Sequence, residues 1–131
     1  MAADESYPDD LRYHPEHDWA RIDGDRAMLG ITWYAQDALG EIVHFEPPEE
    51  GSAVARGESY GEVESVKAVS EVIAPLSGEV VEVNAKVVSE PEAINDDPYG
   101  DGWLVRIRLS DPSEADELLD AAAYRERLAD Q

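Results

Sequence analysis

Lysine is nearly absent from this chain. Of its ten basic residues eight are arginine, and only Lys67 and Lys86 are lysine. Lys67 stands at the centre of Val66-Lys67-Ala68, between two valine-rich stretches, where a hairpin would turn and hold the ammonium out in solvent. A lysine can be acylated to a neutral amide, whereas arginine stays protonated and its guanidinium is a poor acyl acceptor. Keeping lysine here in an arginine-rich chain therefore points to covalent loading. On spacing alone, an ordinary solvated turn lysine is the plainer reading. The other candidate chemistry is weaker. His14-Pro15-Glu16-His17 and His44 could in principle ligate a metal, but the first pair lies in a turn region with no helical i, i+4 face to preform a site. No glycine-rich phosphate loop occurs, and carboxylates are too numerous for an acid–base pair to be read. With no cysteine the chain has no disulfide, no thiolate metal site and no thiol nucleophile.

The elements that must position Lys67 are short and mostly β. Trp19 to Asp23 alternates, Asp23-Gly24 signals a turn, and Ala27–Ile31 returns as an apolar strand. Thr32 is a candidate N-cap and Gly40 a candidate C-terminal glycine for a helix over Trp33–Leu39. Ile42–Phe45 reads as a strand closed by Pro47-Pro48. Gly61–Val83 is β-rich throughout, with Val63, Val72, Ile73, Val81 and Val83 as expected core. Asn84–Pro98 reads as loop with at most a turn or two of helix, and Trp103–Leu109 alternates as a strand. The expected last element is one helix over Ser113–Leu128, capped by Ser113, with Ala115, Leu118, Leu119, Ala122 and Ala123 as its apolar stripe.

A length of 131 residues suits one domain: an acidic flexible tail over 1–9 and a single folded unit over 10–131. The formal net charge is −21, which repels phosphate and argues against nucleic acid and anionic membrane as partners. The N-terminus has no signal or transit character, so a cytoplasmic protein is expected. Abundant acid with scarce lysine also suits a salt-rich cytosol, where self-repulsion is screened, and a halophilic source is the expectation.

The string ESVKAVSEVIAPLSGEVVEVN, Glu64–Asn84, resembles the lipoyl-attachment region of the glycine cleavage system H-protein family. YHPEHDWARIDGD (Tyr13–Asp25) is similar to the family's N-terminal hairpin, and GITWYAQDALGEIVHFEPPEEG (Gly30–Gly51) to its helix-and-strand signature. INDDPYGDGWLVRIRLSDPSEADELLDAAAY (Ile94–Tyr124) resembles its C-terminal strand and helix. Only about the first dozen residues fall outside the match. Two positions depart from the family pattern: Trp33 stands where an aspartate is usual, and Ala38 where some members carry a histidine. A role for that histidine is not carried over.

The resemblance implies a mainly β fold, a barrel-sandwich hybrid of two antiparallel sheets of the lipoyl/biotinyl-carrier type, with peripheral short helices and a C-terminal helix. It implies a non-catalytic carrier, a monomer in isolation, whose cofactor is (R)-lipoic acid joined as an amide to Lys67. The implied partners are a pyridoxal-phosphate glycine decarboxylase, a tetrahydrofolate-dependent aminomethyltransferase and an FAD-dependent dihydrolipoyl dehydrogenase. A lipoate–protein ligase or a lipoyl/octanoyl transferase would load the lysine. Between the first two partners the arm would ferry the methylamine group of glycine, and the cofactor rather than the chain would carry the thiol chemistry. Asp18 and Glu71 match acidic positions near the cleft that receives the loaded arm, and Glu64 and Glu71 are candidate recognition points for the loading enzyme. For each carboxylate the plainer reading is a solvated side chain on an acidic surface. A biotinyl carrier or a lipoyl domain of a 2-oxoacid dehydrogenase would keep the fold and change the cargo, but these typically read Met-Lys-Met and Asp-Lys-Ala where this chain reads Val-Lys-Ala. An unmodified acidic interaction module is the remaining alternative.

Overall fold

Two antiparallel sheets share one apolar core in the computed structural model, which describes residues 7–129. The larger sheet contains β1 (Arg12–His14), β2 (Asp18–Asp23), β3 (Arg26–Ile31), β5 (Ala53–Val54), β8 (Gly78–Val83) and β9 (Val105–Leu109), in the order β1-β2-β3-β9-β8-β5. The smaller one contains β4 (Ile42–Glu46), β6 (Ser59–Ser65) and β7 (Val69–Ile73), ordered β4-β6-β7. Four helices, α1 (Trp33–Leu39), α2 (Ala85–Ser89), α3 (Ala93–Asp96) and α4 (Ala121–Ala129), lie among them. The architecture agrees with the mainly β carrier fold expected from the sequence.

The core draws on both sheets: Ala20, Leu29, Val80 and Ile107 from the larger, Phe45, Val63 and Val72 from the smaller. Burying each large aliphatic side chain contributes roughly 1.5–3 kcal/mol, so this shared layer is what holds the three-stranded sheet in place. A second cluster is aromatic. Tyr13 stacks on Tyr124 with ring centroids 4.8 Å apart, and Trp19 is fully buried with its indole N–H donating to Pro98 O at 3.0 Å. Tyr7 joins this cluster edge-on to both tyrosines. The expected tail over 1–9 is thus corrected at Tyr7, which is 4% exposed because its ring fills that cluster; residues 1–6 lie outside the described residues.

Helix α1 begins and ends where its capping residues put it. Thr32 Oγ1 accepts from Ala35 N, and Gly40, at φ 84° and ψ −154°, donates its N–H to Gln36 O. That backbone conformation suits only glycine.

Two expectations need correction. Val80 rather than Val81 is the buried valine of β8, because a bulge between Val80 and Glu82 shifts the inward face by one; Val81, Val83 and Ile73 are half-buried, Val83 packing against the core. The C-terminal helix is also split. Pro112–Glu117 forms a 3-10 segment capped by Asp111 Oδ1, not by Ser113. Leu119 then bridges Tyr13, with N–H···O bonds of 2.8 Å in both directions, and Asp120 Oδ1 caps a fresh helix by accepting from Ala123 N at 2.8 Å. A free edge on β1 captured Leu119, so α4 itself buries Ala121 and Tyr124; of the expected stripe Leu118, Ala115 and Leu119 pack on the cores from the segment before α4, while Ala122 is exposed and Ala123 half-buried.

Candidate functional site

Strands β6 and β7 run antiparallel with Glu64 opposite Val69, and Ser65 N donates to Ala68 O at 2.8 Å. Val66 and Lys67 are therefore the two central residues of a tight hairpin. Two-residue hairpin loops usually need positive φ at a central position, yet neither Val66 nor Lys67 has one. Ser65 supplies the missing support. Its buried Oγ accepts from Lys67 N at 3.2 Å and from Ala68 N at 3.1 Å, the local side-chain bracing that serine gives at the first position of a turn. The tip also leans on the rest of the fold. Val66 N donates to Glu41 O at 3.1 Å, just beyond α1, and a methyl group placed on Gly40 would lie 3.7 Å from Lys67 Cε.

The two lysines end up in different circumstances. Lys86 Nζ donates to Asp101 Oδ2 at 2.9 Å, and that hydrogen bond, with the charge of Asp101, holds its pKa above the usual range. Lys67 is exposed and takes part in none of the ion pairs among the described residues. Among the described residues three of the four exposed large apolar side chains, Val66 (67%), Val69 (59%) and Val43 (45%), lie at the tip, at the start of β7 and on β4 of the same sheet. An unpaired primary amine beside exposed apolar surface can form an amide and lodge an aliphatic arm.

The acidic candidates separate. Glu64 and Glu71 both point to solvent on the outer face of the hairpin, where Glu71 lies opposite Glu62 and Glu64 opposite Val69. Asp18 is 2% exposed, and its Oδ1 accepts from Ile73 N at 3.3 Å. Burial pushes its carboxyl well above the usual carboxylate range, against the lowering effect of the Ile73 N–H. Through this bond Asp18 ties β2 to the end of β7, while Glu71, two residues before Ile73, faces solvent. The histidines are engaged elsewhere. His17 Nδ1 lies 2.8 Å from Tyr124 Oη, and His14 Nδ1 accepts from Glu16 N at 3.0 Å. No group of three or more His, Asp or Glu among the described residues is arranged to hold a metal ion.

The model of the glycine cleavage H-protein family matches residues 11–131, and this match spans the hairpin, both sheets and the helices. The chain belongs to that family. It is 55% identical to the glycine cleavage system H protein of Symbiobacterium thermophilum over 89% of this chain and 91% of that one. It is 51% identical to a probable glycine cleavage system H protein of Haloarcula marismortui, over 92% and 95% of the two chains. The crystal structure of a glycine cleavage system H protein from Mycobacterium marinum superposes with a TM-score of 0.86 at 43% identity, covering 93% of this chain and 98% of that one. As an H protein, the chain is a lipoyl carrier of the glycine cleavage system and not a catalyst. No helix among the described residues is long and apolar enough to cross a membrane.

Sequence reasoning singled out Lys67 as a candidate and missed the groups that brace its backbone. Ser65 could have been noticed as a serine opening a tight turn; Gly40 and Glu41 could not, since only the tertiary fold brings them to the tip.

Proposed function

We propose that Lys67 is the residue on which this H protein carries (R)-lipoic acid as an amide. The observation that supports this reading is the contrast between the two lysines: Lys86 is paired with Asp101, while Lys67 is exposed and unpaired on a turn braced by Ser65. When attached, the lipoyl group supplies a strained disulfide that opens and recloses, a chemistry this cysteine-free chain lacks. The chain's own work is presentation. Ser65 and Glu41 fix the anchor of the arm, and the two-residue loop keeps protein bulk away from its end. Anchoring at one rigid point leaves effective concentration at each partner to docking and arm reach.

In this reading a lipoate–protein ligase or lipoyl/octanoyl transferase loads Lys67 in the cytoplasm. The arm then serves the pyridoxal-phosphate glycine decarboxylase, the tetrahydrofolate-dependent aminomethyltransferase and the FAD-dependent dihydrolipoyl dehydrogenase. The solvent-facing Glu64 and Glu71 are the recognition points for the loading enzyme, and Glu71, on the outer face of the hairpin, is also the carboxylate that would meet a cationic load on the arm. A free lysine near its reference pKa of about 10.4 is almost wholly protonated at neutral pH, so the loading enzyme must both activate the acyl group and assist loss of the proton.

The test is intact mass with peptide mapping after incubation with lipoate, ATP and a lipoate–protein ligase. A lipoyl adduct confined to Lys67, and absent from Lys67→Arg, is the expected result. No adduct on a folded protein, with the ligase active on a control carrier, would reject it in favour of a biotinyl carrier or an unmodified module.

A further inference from the structure

Asn95, on the four-residue helix α3, reaches back to the corner between α1 and β4. Its Oδ1 accepts from Ile42 N at 2.9 Å, while its Nδ2 donates to Gly40 O at 2.9 Å and to Gln36 Oε1 at 2.9 Å. A backbone N–H can only donate and a backbone carbonyl only accept, so Ile42 and Gly40 together dictate which way this amide faces. Residues 40 and 42 flank Glu41, whose carbonyl accepts the N–H of Val66, and Gly40 itself lies under the Lys67 stem. One side chain thereby grips the corner against which the hairpin tip rests, without touching Lys67.

We infer that Asn95 is a positioning residue for Lys67, holding the Gly40–Ile42 corner so that the hairpin tip keeps a single pose. The inference rests on Lys67 as the residue that is loaded. The turn between Ser65 and Ala68 is braced internally, and it is linked outward to this same corner by the Val66–Glu41 bond and by the pairing of Ser65 with Ile42. If the corner loosens, the tip samples several poses and only a fraction of molecules presents the lysine correctly. A partner then meets a reduced competent population, and its apparent affinity falls by that fraction while turnover of the bound complex does not.

The comparison residue is Asn84, an equally engaged asparagine with no bond to the tip. Its Nδ2 donates to Asp101 O at 2.8 Å and to Trp103 O at 2.6 Å, and its Oδ1 accepts from Lys86 N at 3.1 Å. Ligase kinetics with the apoprotein as varied substrate, and amide exchange at Val66 and Ile42, test the idea together. Asn95→Ala should raise the KM for the apoprotein about three- to tenfold with kcat unchanged, and should speed exchange at both amides. Asn84→Ala should leave KM and Val66 exchange at wild-type values even where it lowers the melting temperature. A wild-type KM in Asn95→Ala, or an equal rise in Asn84→Ala, overturns the inference. Should Asn95→Ala not fold, Asn95→Asp, which keeps an acceptor for Ile42 and loses both donors, is read by the same criteria. If wild-type protein takes no lipoate at Lys67, the carrier assignment of Lys67 fails, and Val66 exchange in the Asn95 variants still decides whether the corner holds the tip.

Discussion

Ser65 holds the backbone of Lys67: its buried Oγ accepts the Lys67 N–H at 3.2 Å and, at 3.1 Å, that of the next residue. The side chain does for this turn what positive φ does for most two-residue hairpins. Ser65→Ala removes one acceptor shared by two donors. Stability should fall by about 1–2 kcal/mol, seen as a lower urea midpoint with an unchanged m-value. Lipoate loading at Lys67 should slow at the same time. A variant that keeps the wild-type midpoint and loading rate would show that the turn stands without this brace.

Gly30 faces a different demand. A Cβ at this position would lie 2.6 Å from two ring carbons of Trp19. The indole cannot swing away, because it is fully buried and its N–H is committed to Pro98 O. Gly30→Ala should therefore cost at least the roughly 1–3 kcal/mol typical of overpacking. Thermal unfolding measures this, and a red-shifted Trp emission would report the displaced ring. Wild-type melting would mean that β2 and β3 can spread apart at little cost.

Local signals were the legible ones. Thr32 and Gly40 bound α1 because a cap and a left-handed glycine act within one turn of helix. The hairpin around Lys67 was readable because valine-rich strand sequence lies on either side of it, and those stretches do pair as β6 and β7. What escaped depends on distant chain. The bulge that buries Val80 in place of Val81 follows from pairing with β9, and the break before α4 follows from a β-bridge between Leu119 and Tyr13. Asp18 gives no sign in sequence that its carboxyl is sealed beneath β7, and Asn95 reads as one more loop asparagine. Resemblance to the family pointed to Lys67 as the candidate; the residues that brace its turn emerged only in three dimensions.

Charge repulsion should make stability rise with salt. The net charge is −21, and β6 and β7 even set Glu62 opposite Glu71, a pairing of like charges. Five ion pairs to Arg or Lys among the described residues work the other way, but they are exposed, weak and screened by salt. The excess of carboxylates wins. The Debye length shrinks from about 8 Å at physiological ionic strength to about 3 Å at 1 M, so the urea midpoint should climb across this range of KCl. Glu62→Lys should flatten the climb by replacing one repulsion with an attraction to Glu71. A midpoint indifferent to salt would remove the case for a salt-adapted surface.

Asp18 predicts a pH effect of unusual sign. Most paired carboxylates have lowered pKa values and stabilise the native state at neutral pH. Burial pushes this one well above its ordinary value of 3.8, the nearby charge of Glu16 adds to the rise, and the single Ile73 N–H offsets it only in part. Tyr60, whose buried hydroxyl has no hydrogen-bond partner among the described residues, has its own pKa raised by burial and further by the charge of Asp18. Between the unfolded and native pKa values the folded state binds the extra proton, so this group's contribution to stability falls as pH rises from about 4 to its elevated native pKa. Asp18→Asn keeps a carbonyl oxygen for Ile73 N and cannot ionise. Relative to wild type, its stability should improve steadily as pH rises through that window, with the gap narrowing toward pH 3. Urea denaturation of both proteins between pH 3 and pH 8 gives the difference directly. If the difference stays flat across the range, the buried carboxyl does not titrate with folding. If wild type gains on the variant as pH rises, an ionised Asp18 is stabilised in the native state and the sealed, neutral carboxyl is wrong.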